Sequence, residues 1–332
     1  DTLRHVERLQ FADQTYDLTT GRPVAIGSAP PPVVIAAPPG APILGAGNAS
    51  GNEDTAIGLN LSASLPSLTA SQSLSVVIGG VPQGASLSAG SSDGHGNWTL
   101  TTQQLQGLKI TPPANSDATL HLTVKATVSD SLTHLTSTSS ADLSVLVNAV
   151  ADKPTLTAAA ASGSEDGTIA LKIAAALTDT DGSESLSVTV AGMPGGASLS
   201  AGTHNADGTW TLTQAQLAGL TLKPPANFSG DFALSLTANS KEAANGSTAA
   251  STASLPVHVN ANADTPTVTA SNASGVAGTA VALHVSAALT DTDGSESLQV
   301  VIGGVPQNAT LNAGSSDGHG NWTLTPAQLA GL

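Results

Sequence analysis

The nine residues LTDTDGSES, Leu177–Ser185, place three acids within six positions: Asp179, Asp181 and Glu184. The same nine return at Leu289–Ser297, with Asp291, Asp293 and Glu296. In each loop a glycine, Gly182 or Gly294, permits the tight turn that lets carboxylates converge. That is chemistry for a hard divalent cation. Ca2+ takes about six to eight oxygen ligands, chiefly carboxylates and carbonyls, whereas Mg2+ keeps its waters and demands a rigid octahedron. The loop is incomplete on its own. It is not an EF-hand, because Val190 and Ile302 stand at the twelfth positions, where a bidentate glutamate belongs. An isolated DTDG is more often a solvated turn. Further oxygens have to come from elsewhere in the chain, and the acidic pairs Glu53-Asp54 and Glu165-Asp166 are the nearest in character.

Loops and pairs alike belong to an internal repeat. Trp98, Trp210 and Trp322 each open the phrase WTL and lie 112 residues apart. The same offset carries Glu53-Asp54 onto Glu165-Asp166, Asp179 onto Asp291, and Pro42 onto Pro154 and Pro266. The reading is of copies over residues 42–148, 149–260 and 261–332, the third truncated, in a piece cut from a longer protein. Within a copy, short runs alternate apolar and small polar residues. In the second copy, strands are expected near Thr155–Ala159, Thr168–Ala175, Leu186–Ala191, Ala197–Leu199, Thr209–Thr213, Thr221–Lys223, Phe232–Ala238 and Ala253–Asn260. One helical turn is expected at Thr213–Leu220. Seven or eight strands, with turns every 8–12 residues or so, signal an all-β sandwich. Each Trp opens an alternating WTLT strand and is read as a core anchor rather than a ligand platform. Ahead of the copies, residues 22–41 are Pro-rich and suit an extended spacer. Residues 1–21 stand outside the repeat.

Two resemblances bear on this organisation. Asp1, Leu3, Val6-Glu7, Leu9, Phe11-Ala12-Asp13, Thr15 and Asp17-Leu18 resemble the segment that closes RTX-type (haemolysin-type) calcium-repeat blocks. No Gly-Gly-x-Gly-x-Asp nonapeptide accompanies them, so no β-roll site is assigned. The phrases NANADTPTVTA (Asn260–Ala270), LTDTDGSESL (Leu177–Leu186), DGTWTLTQAQLAGL (Asp207–Leu220) and PPANFSGDF (Pro224–Phe232) resemble the cadherin-like, immunoglobulin-like tandem repeats of large type I-secreted bacterial adhesins. That resemblance implies an extracellular, calcium-stiffened rod of antiparallel sandwiches that spaces or presents other domains, in adhesion or biofilm formation.

Such a sandwich gives the acids an address. The loop between its second and third strands lies at the end where the chain enters, and the loop between the first and second strands lies at the opposite end. The acidic pair of one copy therefore faces the DTDGSE loop of the next. The first junction gathers Glu53, Asp54, Asn148, Asp152, Asp179, Asp181 and Glu184. The second gathers Glu165, Asp166, Asn260, Asn262, Asp264, Asp291, Asp293 and Glu296. Without a cation this charge would repel itself across a linker of about five residues. Closure within a single copy is the other arrangement open at this point. The first copy carries Ser67, Thr69 and Gln72 at the loop positions, and Gly40 where Asp152 stands. Only the spacer precedes it, so it has no neighbour to clasp.

Other chemistries find little support. The formal charge is −15, from 24 acidic and 9 basic residues, which denies nucleic acid its cationic footprint and disfavours anionic membranes. There is no cysteine, hence neither disulfide nor thiolate site. No apolar run of about 18 residues suggests membrane insertion. G-x-S-x-G occurs as GSSDG at Gly90 and Gly314, but a strand rather than a helix follows, and the second copy reads GTHNA there. His95 and His319 sit in DGHGNW turns and are read as exposed. The sequons at Asn227 and Asn272 are read as without consequence. The expectation is a monomeric, non-enzymatic spacer with Ca2+ between neighbouring repeats, meeting host or matrix surfaces through domains outside the chain. Two rivals stand beside it: a repeat region appended to a secreted RTX-type hydrolase or peroxidase, and a glycan- or protein-binding module.

Overall fold

The computed structural model describes residues 37–332 and, ahead of them, the strands Arg8–Gln10, Thr15–Asp17 and Arg22–Val24, which form one antiparallel sheet. The rest of the RTX-like segment and of the Pro-rich stretch lies outside the described residues. From residue 42 onward the chain is all-β, in sandwiches that repeat with the sequence.

The second copy shows the plan. One six-stranded sheet runs, in order across it, Ala161–Ser164, Thr248–Asn260, Gly230–Glu242, Glu184–Ala191, Trp210–Thr213 and Thr203–His204. Against it lie a three-stranded sheet (Ile169–Ala170, Thr221–Lys223, Ser198–Leu199) and the pair Thr155–Ala159 with Lys172–Ala176. Pairing is antiparallel except at one edge, where Ala161–Ser164 runs parallel to the end of Thr248–Asn260. The first copy repeats this, with Ala49–Asn52 parallel to Thr136–Asn148. The third holds shorter strands of the same series, Thr267–Ala270 to Trp322–Leu324.

Period-2 alternation builds each core. Along Gly230–Glu242, Leu234, Leu236 and Ala238 face inward, meeting Leu255, Val257 and Val259 from the neighbouring strand. The half-buried Trp98, Trp210 and Trp322 pack against the three cores. The expected helical turn is a 3-10 turn, Gln214–Leu217, held at its start by the Thr213 N–H donating to Gln216 Oε1 at 2.9 Å. The two long strands extend well past the expected bounds, and two short edge strands, Ala161–Ser164 and Thr203–His204, were not expected at all.

Candidate metal centres at the joints between copies

Each joint is assembled from three elements. The first is the turn after the parallel edge strand. Its ladder continues one step, with the Glu53 N–H donating to the Asn148 carbonyl (3.0 Å) and that of Glu165 to Asn260 (3.0 Å). This anchors each glutamate beside the outgoing linker. The Glu53 carboxylate turns in and accepts the Val150 N–H at 2.5 Å, and Glu165 likewise accepts the Asn262 N–H. Both glutamates are 3% exposed.

The second element is the linker. The Asp152 N–H donates to Glu184 Oε1 at 2.7 Å, and the Asp264 N–H to Glu296 Oε1 at 2.5 Å. The third is the DTDGSE loop of the following copy, where Gly182 has φ +99° as the turn requires. Asp179 Oδ1 accepts the Asp181 N–H at 2.9 Å, and Asp179 is buried, as is Asp291. Carboxylate oxygens of Glu53, Asp179 and Glu242 all lie within 4.8 Å of one another at the first joint. Those of Glu165, Asp291 and Asp293 do so at the second. Acids of one copy thus meet acids of the next at both joints.

The side chains of Asn148 and Asn260 are not brought into these clusters. Asn148 Nδ2 donates sideways to Asn52 Oδ1 (3.5 Å) and Asn260 Nδ2 to the Gly163 carbonyl (3.1 Å). Asn262 takes part through its backbone, its side chain being exposed. Asp54, Asp166 and Asp181 sit at the rim, exposed. So does Asp293, whose Oδ2 accepts the N–H (3.0 Å) and hydroxyl (2.8 Å) of Ser229 across the second joint. Hydrogen bonding from Ser295, together with these bonds from Ser229, holds the Asp293 carboxyl well below the usual range.

Three participants escaped the sequence reading. Glu242, fully buried, ends the strand Gly230–Glu242 on its core-facing side. Burial, then repulsion from Glu184 and Glu53, raises its pKa to about 7. Asn115 and Asn227 are the others. The Asn115 N–H donates to Asp54 Oδ1 and its Nδ2 to Asp152 Oδ2, both at 2.9 Å, tying the pair of one copy to the linker of the next. Asn227 makes the same two bonds to Asp166 (3.3 Å) and Asp264 (3.1 Å). Asn227, a sequon without consequence on the sequence alone, thus has a structural role. Among the described residues, four of the six non-glycine residues with positive φ are Asp54, Asn115, Asp166 and Asn227. Two stand at each joint, and Asp and Asn are the residue types other than glycine that adopt this left-handed conformation most readily.

The balance of charge is unusual. Burial raises the carboxyls of Glu53, Asp152 and Glu184, with like charges nearby adding to it. Among the described residues, the buried side-chain oxygens left without any hydrogen bond are Oε2 of Glu53, Glu165, Glu184, Glu242 and Glu296, all at the joints. Among the same residues no Lys or Arg pairs with any of these carboxylates. The leading end of the first copy differs. Asp130, the counterpart of Glu242, has its carboxylate occupied by the N–H groups of Leu132 (2.9 Å) and Thr133 (3.2 Å), by the Ser71 hydroxyl (3.3 Å) and by Gln72 Nε2 (3.5 Å).

No family model matches the chain, and no curated protein matches it. Solved structures similar to it include the Escherichia coli adhesin FdeC, at 17% identity over 85% of this chain and 86% of that one, with a TM-score of 0.24. Drosophila N-cadherin EC1–3 aligns at 15% identity over 65% and 64%, TM-score 0.20. The Yersinia pseudotuberculosis adhesin InvE aligns at 13% over 64% and 58%, also at 0.20. These likenesses are distant, and the sandwich rests on the strand pairing itself.

Proposed function

We propose that the chain is a spacer of a secreted or surface-attached bacterial protein, its copies bounded at residues 42–148, 149–260 and 261–332, and that Ca2+ at each joint stiffens it. One observation carries this reading: five buried glutamate oxygens without a hydrogen bond converge on two joints, and among the described residues no basic side chain pairs with them. A buried carboxylate left uncompensated is costly, and it either takes a proton or finds a cation. The oxygen-only donor set suits Ca2+. Glu53, Asp179, Glu184 and Glu242 would hold the ion at the first joint, and Glu165, Asp291, Asp293 and Glu296 at the second. Export by a type I route, with an RTX-like block ahead, belongs to the same reading and rests on the resemblance of residues 1–21.

The test compares the chain with and without EDTA, by calorimetry and small-angle scattering. A cation that binds only the folded joint adds about 2.7 kcal/mol when its free concentration is about 100 times Kd. Calcium should therefore raise the melting temperature and extend the maximum dimension. If neither changes, the reading fails.

A further inference from the structure

Away from the joints, one concavity occurs twice. Gln83, Ser92, His95 and Trp98 line a cavity of about 470 Å3 in the first copy. Their counterparts Gln307, Ser316, His319 and Trp322 line one of about 360 Å3 in the third. The two linings correspond position for position, 224 residues apart. Strand register explains the pocket. Ser92 is the direct cross-strand partner of Trp98, and Ser316 of Trp322, so a small side chain stands beside each indole. In the second copy the partner of Trp210 is His204, whose ring centroid lies 5.1 Å from the indole at an interplanar angle of 34°. There the chain's own imidazole stacks on the tryptophan.

We propose that the first and third copies each bind a neutral sugar ring, one hexopyranose unit of a glycan, against this tryptophan, and that the second copy does not. An indole offers a flat apolar face, which suits the C–H face of a pyranose. Hydroxyl-matching groups stand around it. Ser92 Oγ accepts the Gly94 N–H at 3.1 Å, which leaves its own proton to donate. His95 Nδ1 lies 2.9 Å from the Asp93 carbonyl, and a carbonyl only accepts, so Nδ1 carries the proton and in the neutral ring Nε2 is the acceptor. Ser316 and His319 repeat both contacts. Gln83 and Gln307 add amide donors and acceptors. Neither lining holds a carboxylate, a lysine or an arginine, which selects for an uncharged ligand. Both volumes fall in the range of about 300–1,000 Å3 in which small ligands are bound. Nothing in this proposal depends on a cation at the joints.

The chain has three tryptophans, one per copy, and so three indole N–H signals that report the copies separately. They can be assigned by replacing each Trp with Phe in turn. Methyl glycosides of glucose, galactose, mannose and N-acetylglucosamine are titrated at millimolar concentration into the 15N-labelled chain. At least one should shift the Trp98 and Trp322 signals saturably and leave Trp210 unmoved. Ser92→His should abolish the response of Trp98 and spare that of Trp322. His204→Ser should make Trp210 respond, and it decides the matter if Ser92→His fails to fold. Three results would overturn the proposal: no saturable shift with any of the four sugars, an equal shift at Trp210 in the parent chain, or a response only to a peptide of the Pro-rich residues 30–39.

Discussion

At the scale of single residues, Glu242 and Asn115 hold the first joint's balance. A carboxyl raised to about 7 keeps its proton in the folded chain at pH values where the unfolded chain has released it. Its contribution to stability is therefore lost as pH rises from about 4.5 through about 7 and regained on acidification. In EDTA, the melting temperature should climb between pH 8 and pH 5. With calcium that trend should flatten or reverse, because protons and the ion compete for the same oxygens. Calorimetry across that range checks both halves. Glu242→Gln removes the charge and keeps the shape. It should raise stability in EDTA and weaken calcium binding to the first joint about tenfold, a change of about 1.4 kcal/mol. Asn115→Gly is a cleaner probe of the linker bond, since glycine accepts φ +53° and keeps the N–H that reaches Asp54. It deletes only the Nδ2 contact to Asp152. Calorimetric titration should then show weaker calcium binding at the first joint and no change at the second.

At the scale of elements, alternation decides what was legible. Leu234, Leu236, Ala238, Ser240 and Glu242 share one face of a strand, so parity alone places an acid on the core side at the strand's end. The signal is present in the sequence, but a strand ended at Ala238 leaves Glu242 outside it. Ala161–Ser164 is illegible for another reason. Its residues are small and show no apolar alternation, and only backbone bonds to a distant strand make it β. The acidic loops were legible because their spacing is local. The two asparagines were not, because Asn115 and Asp152 meet only after the sandwich has formed. The core strands set the scaffold's strength. Leu236→Ala should cost about 2–5 kcal/mol in chemical denaturation, the range for emptying a packed leucine site.

At the scale of the whole chain, the proposed reading makes the two joints separate sites. Asp179→Asn with Asp181→Asn should halve the calcium stoichiometry and loosen the first joint alone, read as increased flexibility in small-angle scattering. Loss of binding at the second joint as well would show the assignment of the sites to the junctions to be wrong. The first copy's leading end, where amides and hydroxyls already satisfy Asp130, should gain nothing from calcium. The parallel edge strand has a mechanical meaning. In each of the first two copies a strand near the beginning lies parallel to the last one, with four residue pairs in register. Tension applied to the two ends of such a copy pulls these strands past each other along their length. Their hydrogen bonds then bear the load together in shear, rather than opening one after another as a peeled hairpin would. The ladder ends on Glu53 in one copy and Glu165 in the next. An ion that pins those glutamates would clamp the rung where sliding has to begin, so the same atoms that set the angle between copies would also set the force they withstand.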